Sequence, residues 1–236
     1  MKIAEMSVEY VDHMGTDLSV ANAARVSFEK ESEWDEQMEV KAGIPICVSR
    51  SLKPGDVKLI AYLAKHNHWS PFAHTSVSFR VKAPIFVARQ LVKHTVGFSW
   101  NEVSRRYVDS EPEFFLPESW RERADNVKQG SGETCVEKND DMKTAAAASV
   151  REAIQTYNYM LDWGVCPEQA RMVLPQNTMT EWIWTGSVYA FARMCNLRLD
   201  SHTQAETREI AKMVSDHMIS LYPISWKVLV YDGSSN

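Results

Sequence analysis

The hydrophobic and polar positions along the chain switch between a period of two, typical of strands, and spacings of three to four, typical of helices. Residues 75–82 give the clearest strand, because Val77, Phe79 and Val81 fall on one face. The same patterns predict further strands at 2–12, 114–117 and 178–185. Helices are predicted to begin at Asp17, extending through 23–26, and at Pro167, and to span 57–65, 85–94, 142–163, 187–197 and 203–220.

This order of elements predicts an α+β fold with mixed helices around an antiparallel sheet. With 236 residues, 44% hydrophobic and 24% charged, the chain fits one globular domain spanning 1–236. Two polar stretches, 29–56 and 124–141, are interpreted as surface loops. The sequence has no apolar run of membrane-spanning length and no visible signal peptide, so we expect a cytoplasmic protein without membrane attachment.

The segment 80–107 is a basic island in an acidic protein. It carries six cations and one anion, a net charge of +5, whereas the whole chain has a formal net charge of −5. A local excess of this size favours a site for one small anion over a general polyanion surface.

Within this island, the predicted helix 85–94 places four polar side chains on one arc of roughly 140°. Gly97 then ends the helix, and the expected loop after it is rich in Ser, Asn, Glu and Arg. A solvated basic helix end is the simpler alternative. The polar loop favours a binding site. The four side chains on the arc are Arg89, Gln90, Lys93 and His94.

Two distant segments resemble the signatures of the flavin-dependent thymidylate synthases. The first is Lys-His-Thr at 93–95 with Ser-Trp-Asn-Glu-Val-Ser-Arg-Arg-Tyr at 99–107. The second is Asn-Leu-Arg-Leu-Asp-Ser-His-Thr-Gln-Ala-Glu at 196–206. The family has arginine where Lys93 and Thr95 stand, and this chain has one extra residue between the two parts of the first signature.

The resemblance implies reductive methylation of dUMP to dTMP, with methylenetetrahydrofolate as carbon donor and NADPH-reduced FAD as hydride source. It also implies a homotetramer in which several subunits line each active site. The basic island holds no cysteine that could act as an activated thiolate, which suits a flavin route. The cysteines lie elsewhere and are interpreted as reduced thiols: Cys47, Cys135, Cys166 and Cys195.

The resemblance, together with nearby cations and hydrogen-bonding groups such as Arg171 and Gln90, gives the expected dUMP site. Arg198 is the predicted catalytic residue, since a guanidinium against N3 and O4 of uracil would stabilise the N3-deprotonated base and enrich C5 in electrons. From spacing alone, Arg198 could instead pair with Asp200 or Glu206. The residues expected at dUMP are Gln90, Lys93, Glu102, Ser104, Arg105, Arg106, Arg171 and Arg198.

The flavin site rests on the resemblance alone, because no G-x-G-x-x-G follows a predicted strand. Arg193 could replace a phosphate contact missing at Thr95, although a surface helix residue is an equally good interpretation. Ser187 and Arg193 both stand where the family usually has Asn. The residues expected at FAD are His68, Ser70, Lys93, His94, Thr95, Glu102, Ser187 and Arg193.

Other interpretations remain open at this point. A flavoprotein that oxidises NADPH without methyl transfer is compatible with the altered Lys93-His94-Thr95. A nucleic-acid-binding protein could use the basic island, but the net charge and the lack of a long basic stripe argue against a nucleic-acid partner. The histidines at 66, 68 and 74 lack a nearby Cys or carboxylate, so no metal site is predicted.

Overall fold

The computed structural model describes residues 1–41, 44–123, 132 and 134–230. The strands are Lys2–Ile3 (β1), Ser7–Met14 (β2), Asp35–Lys41 (β3), Ile44–Ser51 (β4), Ser76–Pro84 (β5), Phe98–Glu102 (β6), Glu113–Phe114 (β7) and Met179–Gly186 (β8). The helices are Asp17–Arg25 (α1), Pro54–Lys65 (α2), Ile85–Leu91 (α3), Asn139–Asp162 (α4), Pro167–Ala170 (α5), Val188–Arg198 (α6), Ala205–Leu221 (α7) and Pro223–Leu229 (α8).

The centre of the fold is a four-stranded sheet in the spatial order β2-β5-β8-β6, with every neighbouring pair antiparallel. Alternate residues of β5, including Val77, Phe79 and Val81, are fully buried, which confirms the face predicted for this strand. On β8 the buried alternation places Trp182 and Trp184 in the same core, against residues of α6 and α7. The predicted α+β fold with an antiparallel sheet is confirmed.

A second core lies between α1, α2 and α8, around Val20, Ile60 and Phe72. We expected Asp17 to cap α1, but Thr16 is the N-cap and Asp17 lies in the first turn. The buried Asp17 carboxylate instead accepts the N–H groups of Ile224 and Ser225, each at 2.8 Å. It therefore caps the start of α8, because those N–H groups have no partner within the helix.

The surface loop predicted at 29–56 is wrong in its middle, where β3 and β4 form an antiparallel hairpin. The charged residues and Pro45 obscured the strand pattern, because charged residues and proline are uncommon in strands other than solvent-exposed edge strands. The start of α2 at Pro54 also lies within this range. Of the second predicted loop, residues 124–131 and 133 lie outside the described residues, and 139–141 belong to α4.

Two smaller predictions near the basic island also change. The helix predicted at 85–94 stops at Leu91, before His94, and Pro84, which ends β5, is its N-cap. The expected loop after Gly97 begins with β6, which pairs with β8. The end of the chain, which gave no clear pattern, contains α8. Within the described residues, no helix has both the length and the apolarity needed to span a bilayer.

Candidate active site

Arg198 lies at the last turn of α6 and is held by two neutral acceptors. Its Nε donates to Nε2 of His94 at 3.0 Å, and Nη2 donates to the backbone carbonyl of Gln90 at 3.2 Å. The Gln90 side chain donates in turn to Oε1 of Gln204 at 2.6 Å, just before α7 begins. The ends of α3 and α6 and the start of α7 are thus joined by one hydrogen-bond network.

This network forms the wall of a cleft of about 520 Å³, lined by Gln90, Arg198, His202 and Gln204 among others. The alternative in which Arg198 pairs with Asp200 or Glu206 is wrong. Asp200 bonds His202, whose backbone and side-chain hydrogen bonds hold the pKa of that carboxyl below its ordinary value. Glu206 pairs with Arg121 at 2.7 Å. The Arg198 charge is therefore left available to a ligand in the cleft.

His94 is neutral in this arrangement. Burial, followed by the nearby charges of Arg198 and Arg193, lowers the pKa of His94 from 6.5 to about 4. Because Nε2 accepts a hydrogen bond from Arg198, the ring proton of the neutral form is on Nδ1. Burial also lowers the pKa of Arg198, although a guanidinium remains charged at neutral pH.

A second, smaller cleft of about 160 Å³ is lined by His94. Lys93, Thr95 and Arg193 line it together with His94, as expected for part of the cofactor site. The Arg193 guanidinium lies 6.0 Å from the centroid of the Tyr189 ring. Arg193 and Thr95 thus line the same cleft. This placement is required if Arg193 replaces the phosphate contact that is missing at Thr95.

Gly97 shapes this second cleft. Its φ of +80° favours glycine, and an added Cβ would lie 3.0 Å from Cβ of Ala190 on α6. Ser187 is the N-cap of α6 and accepts the N–H of Ala190 at 3.2 Å. Ser187 thus has a clear structural role in starting the helix that carries Arg193 and Arg198.

Glu102, Arg105 and Arg171 line a third cleft, of about 420 Å³. Both Glu102 oxygens are held, Oε1 by the Thr180 hydroxyl at 2.7 Å and Oε2 by Nε1 of Trp100 at 3.1 Å. The two arginines donate to backbone carbonyls, Arg105 to Ser110 and Arg171 to Glu168. Their charges are not cancelled by these contacts.

The remaining predicted residues lie in two further places. Arg106 donates from Nε to Oγ of Ser104 at 3.2 Å and lies 4.8 Å from the centroid of the Tyr107 ring. His68 and Ser70 line a separate cleft of about 690 Å³. Among the described residues of one chain, Arg171 and Arg198 thus line different clefts, and Arg106 lines neither of these two.

Sequence reasoning does not identify three supporting residues. Gln204 belongs to the second signature but receives no role there, although its side chain fixes Gln90. Thr180 carries no signal beyond the strand pattern of 178–185, and Trp100 stands in the first signature without an assigned role. Both side chains hold Glu102. Among the described residues, no group of three or more His, Cys, Asp or Glu side chains is arranged to hold a metal ion.

Comparison with known proteins identifies the family. The thymidylate synthase complementing protein family matches residues 9–224. A flavin-dependent thymidylate synthase of Thermotoga neapolitana is 38% identical over 208 residues, covering 88% of this chain and 83% of the relative. One from Thermus thermophilus is 35% identical over 220 residues, covering 93% of this chain and 73% of the relative.

A solved structure shares both sequence and fold. It is a UMP/dUMP methylase, PolB, from Streptomyces cacaoi bound with 5-Br dUMP, with a TM-score of 0.79 and 29% identity over 97% of this chain and 96% of that one. The family match at residues 9–224 includes both signatures. This chain is therefore an enzyme of the flavin-dependent thymidylate synthase family.

Proposed function

We propose that this enzyme methylates dUMP to dTMP in the cytoplasm, taking the carbon from methylenetetrahydrofolate and the hydride from FAD reduced by NADPH. The observation that carries the proposal is the Arg198 guanidinium, held by His94 and Gln90 at the wall of an open cleft and paired with no carboxylate of the described residues. The names of the relatives and of the dUMP methylase support the same reaction.

The proposed role of Arg198 is to activate the uracil ring for methyl transfer. C5 of uracil is a weak nucleophile, and it gains electron density when N3 loses its proton. A guanidinium beside N3 and O4 stabilises that anion. The neutral His94 and the Gln90 carbonyl leave the positive charge intact while they fix its position. Arg198 is thus the predicted catalytic residue.

The dUMP phosphate requires further cations. Arg105 and Arg171 share a cleft with Glu102, and Lys93 and Arg106 are exposed close by in sequence. Arginine suits this task because its planar fork can make two hydrogen bonds to one phosphate. Gln90 and Ser104 can bond the nucleotide through neutral groups.

The proposed enzyme is a homotetramer with shared active sites. In one chain, Gln90 and Arg198 line one cleft, whereas Glu102, Arg105 and Arg171 line another. His68 and Ser70, expected at FAD, line yet another cleft. A nucleotide site that needs these groups together requires clefts from different copies to meet.

The residues around His94 fit the phosphates of FAD. Lys93 and Arg193 supply two cations and Thr95 supplies a hydroxyl, and no carboxylate lines the cleft that they share. A volume of about 160 Å³ holds only that part of the cofactor, so His68, Ser70 and Glu102 would contact the remainder from other surfaces. When bound, reduced FAD would supply the hydride.

Activity assays test the proposal and separate it from its alternatives. Purified enzyme with dUMP, methylenetetrahydrofolate and NADPH is expected to form dTMP and to show a flavin absorbance that NADPH bleaches. NADPH oxidation without dTMP would instead support the oxidoreductase. Salt-sensitive DNA binding by protein without flavin would support a nucleic-acid-binding protein.

A further inference from the structure

The hairpin of β3 and β4 projects from the remainder of the chain. Every residue of both strands is exposed, and each strand makes its main contacts with the other. The base of the hairpin is fixed by Ser32, which donates to Asp56 at 2.6 Å, and by Trp34, which lies under the Arg50 guanidinium. The hairpin is thus a well-anchored arm with no described core on either face.

One face of this arm is apolar. The antiparallel register pairs Met38 with Cys47 and Val40 with Pro45, so these four side chains lie on the same face. Met38 is 53% exposed and Val40 is 72% exposed. The opposite face also exposes Ile44 and Ile46, but there they stand opposite Lys41 and Glu39, which form an ion pair at 3.8 Å. Isolated two-stranded ribbons are marginally stable in water, so an apolar face of this kind needs a cover.

The charges of two segments of the chain indicate which surface covers the apolar face of the hairpin. Residues 29–39 carry six carboxylates and one lysine, a net charge of −5. In the basic island 80–107, Arg80 and Lys82 pair with Glu181 and Glu113, whereas Arg89 on α3 makes no ion pair among the described residues. Within the described residues, no ion pair joins the two segments, and the arm's carboxylates pair only with neighbours such as Lys41 and Lys53. Complementary surfaces of one chain that do not meet in that chain can meet between two copies.

The basic island also has the matching apolar groups. At the end of α3, Arg89 and Val92 are exposed next to each other, outside the cleft that Lys93 and Val96 line. This mixed surface suits the arm, where Glu36 lies on the same face as Met38 and Val40. We propose that the apolar face of the hairpin packs on α3 of a second copy of this chain, with Glu36 directed at Arg89.

The contact between the hairpin and α3 would be one interface of the homotetramer proposed above. It does not depend on whether the enzyme forms dTMP. Assembly and dTMP formation are therefore measured separately. If the wild type makes dTMP while the arm variants assemble unchanged, only this inference fails. If the arm variants lose assembly and the wild type makes no dTMP, only the proposed function fails.

The experiment compares two faces of the same arm. In sedimentation velocity at micromolar concentration, the double substitution Met38→Asp/Val40→Asp should weaken self-association by about tenfold or more, because it buries charge in the contact. The control Ile44→Asp/Ile46→Asp adds the same charges to the opposite face and should assemble like the wild type. Unchanged association of the first variant would overturn the inference, as would a wild type that stays a single copy.

Exchanging the charges at Glu36 and Arg89 tests whether α3 of a second copy is the surface that the hairpin contacts. Glu36→Lys and Arg89→Glu should each weaken association, and the two variants mixed together should recover it, because each mixed contact then restores one opposite-charge pair. Circular dichroism and the unfolding temperature of each variant should match the wild type, since both positions are exposed. No recovery on mixing, or binding of the arm to lipid vesicles or DNA that the Met38→Asp/Val40→Asp variant loses, would count against a second copy.

Discussion

His94 and Arg198 are 104 positions apart in the sequence, yet Nε of Arg198 donates to Nε2 of His94 at 3.0 Å. The resemblance assigns the histidine to the cofactor and the arginine to the substrate. Their contact couples the two clefts, because His94 lines the smaller cleft and Arg198 lines the larger one. A change at either residue should therefore affect both nucleotides.

Removing the Arg198 guanidinium should chiefly slow the chemical step. We expect Arg198→Ala to lower kcat by about 10²-fold or more, the usual cost of losing one group that stabilises developing charge, and to weaken dUMP binding less. Steady-state dTMP formation and a dUMP titration measure the two effects. Arg151→Ala, on the exposed face of α4, is the matched control and should keep normal turnover. Near-normal kcat in Arg198→Ala would exclude the catalytic role.

His94 should make stability depend on pH in a defined window. Its pKa is about 4 when folded and 6.5 ordinarily, so between these values the unfolded chain binds more protons than the folded chain. Stability must then fall as the pH is lowered from about 6.5 to about 4. Since the ring is only half-buried, we expect a loss on the order of 1 kcal/mol.

Urea unfolding at pH 7 and pH 5 measures this effect against His94→Gln, which keeps an acceptor for Arg198 but does not titrate. The wild type should lose more free energy of unfolding over this interval than the variant. Equal losses would mean that His94 has an ordinary pKa in the folded enzyme.

Most of the fold could be predicted from the sequence, because β5, β8 and the long helices bury alternating or helical apolar faces. The hairpin could not, since its strands have no buried face from which a period could be recognised. β6 could not be recognised either: Ser99, Asn101 and Glu102 make it polar, and only its pairing with β8 holds it in a strand.

The site was predictable in its residue types but not in its arrangement. The signatures located Arg198 and His94, but two residues 104 positions apart give no indication in the sequence that they form a hydrogen bond. The alternative pairing of Arg198 with Asp200 or Glu206 followed from sequence proximity alone. Tertiary structure decided against it, because His202 and Arg121 take those carboxylates.

Thr180 should matter for activity through Glu102. Thr180→Val keeps the shape but removes the hydroxyl that donates to Oε1 of Glu102 at 2.7 Å. We expect kcat/KM for dUMP to fall about fivefold to tenfold, since one such bond contributes about 1 kcal/mol. The control is Thr185→Val, which lies on β8 like Thr180 and removes the hydrogen bond to Ser78 of β5. It should cost similar stability without lowering kcat/KM for dUMP. Equal activity of the two variants would remove Thr180 from the site.

Arg193 should act on the cofactor more than on the substrate. It lines the small cleft with Thr95 and Lys93 and does not line the Arg198 cleft. We expect Arg193→Ala to weaken FAD about tenfold, comparable to losing one charge-assisted hydrogen bond, and to change dUMP affinity by less than about threefold. Flavin fluorescence and calorimetric titrations give both constants. A larger effect on dUMP than on FAD would contradict the assignment.

Asp56 should be the most sensitive polar residue for stability. It is fully buried, accepts a hydrogen bond from Ser32 at 2.6 Å and pairs with Arg25, so it holds the base of the hairpin to α1. Asp56→Asn leaves the partly buried Arg25 without its counter-charge and should lower the free energy of unfolding by about 3 kcal/mol. Glu33→Gln removes only the exposed pair with Lys53 and should cost less than about 0.5 kcal/mol. Similar urea midpoints for the two variants would show that the Arg25–Asp56 pair does not anchor this part of the fold.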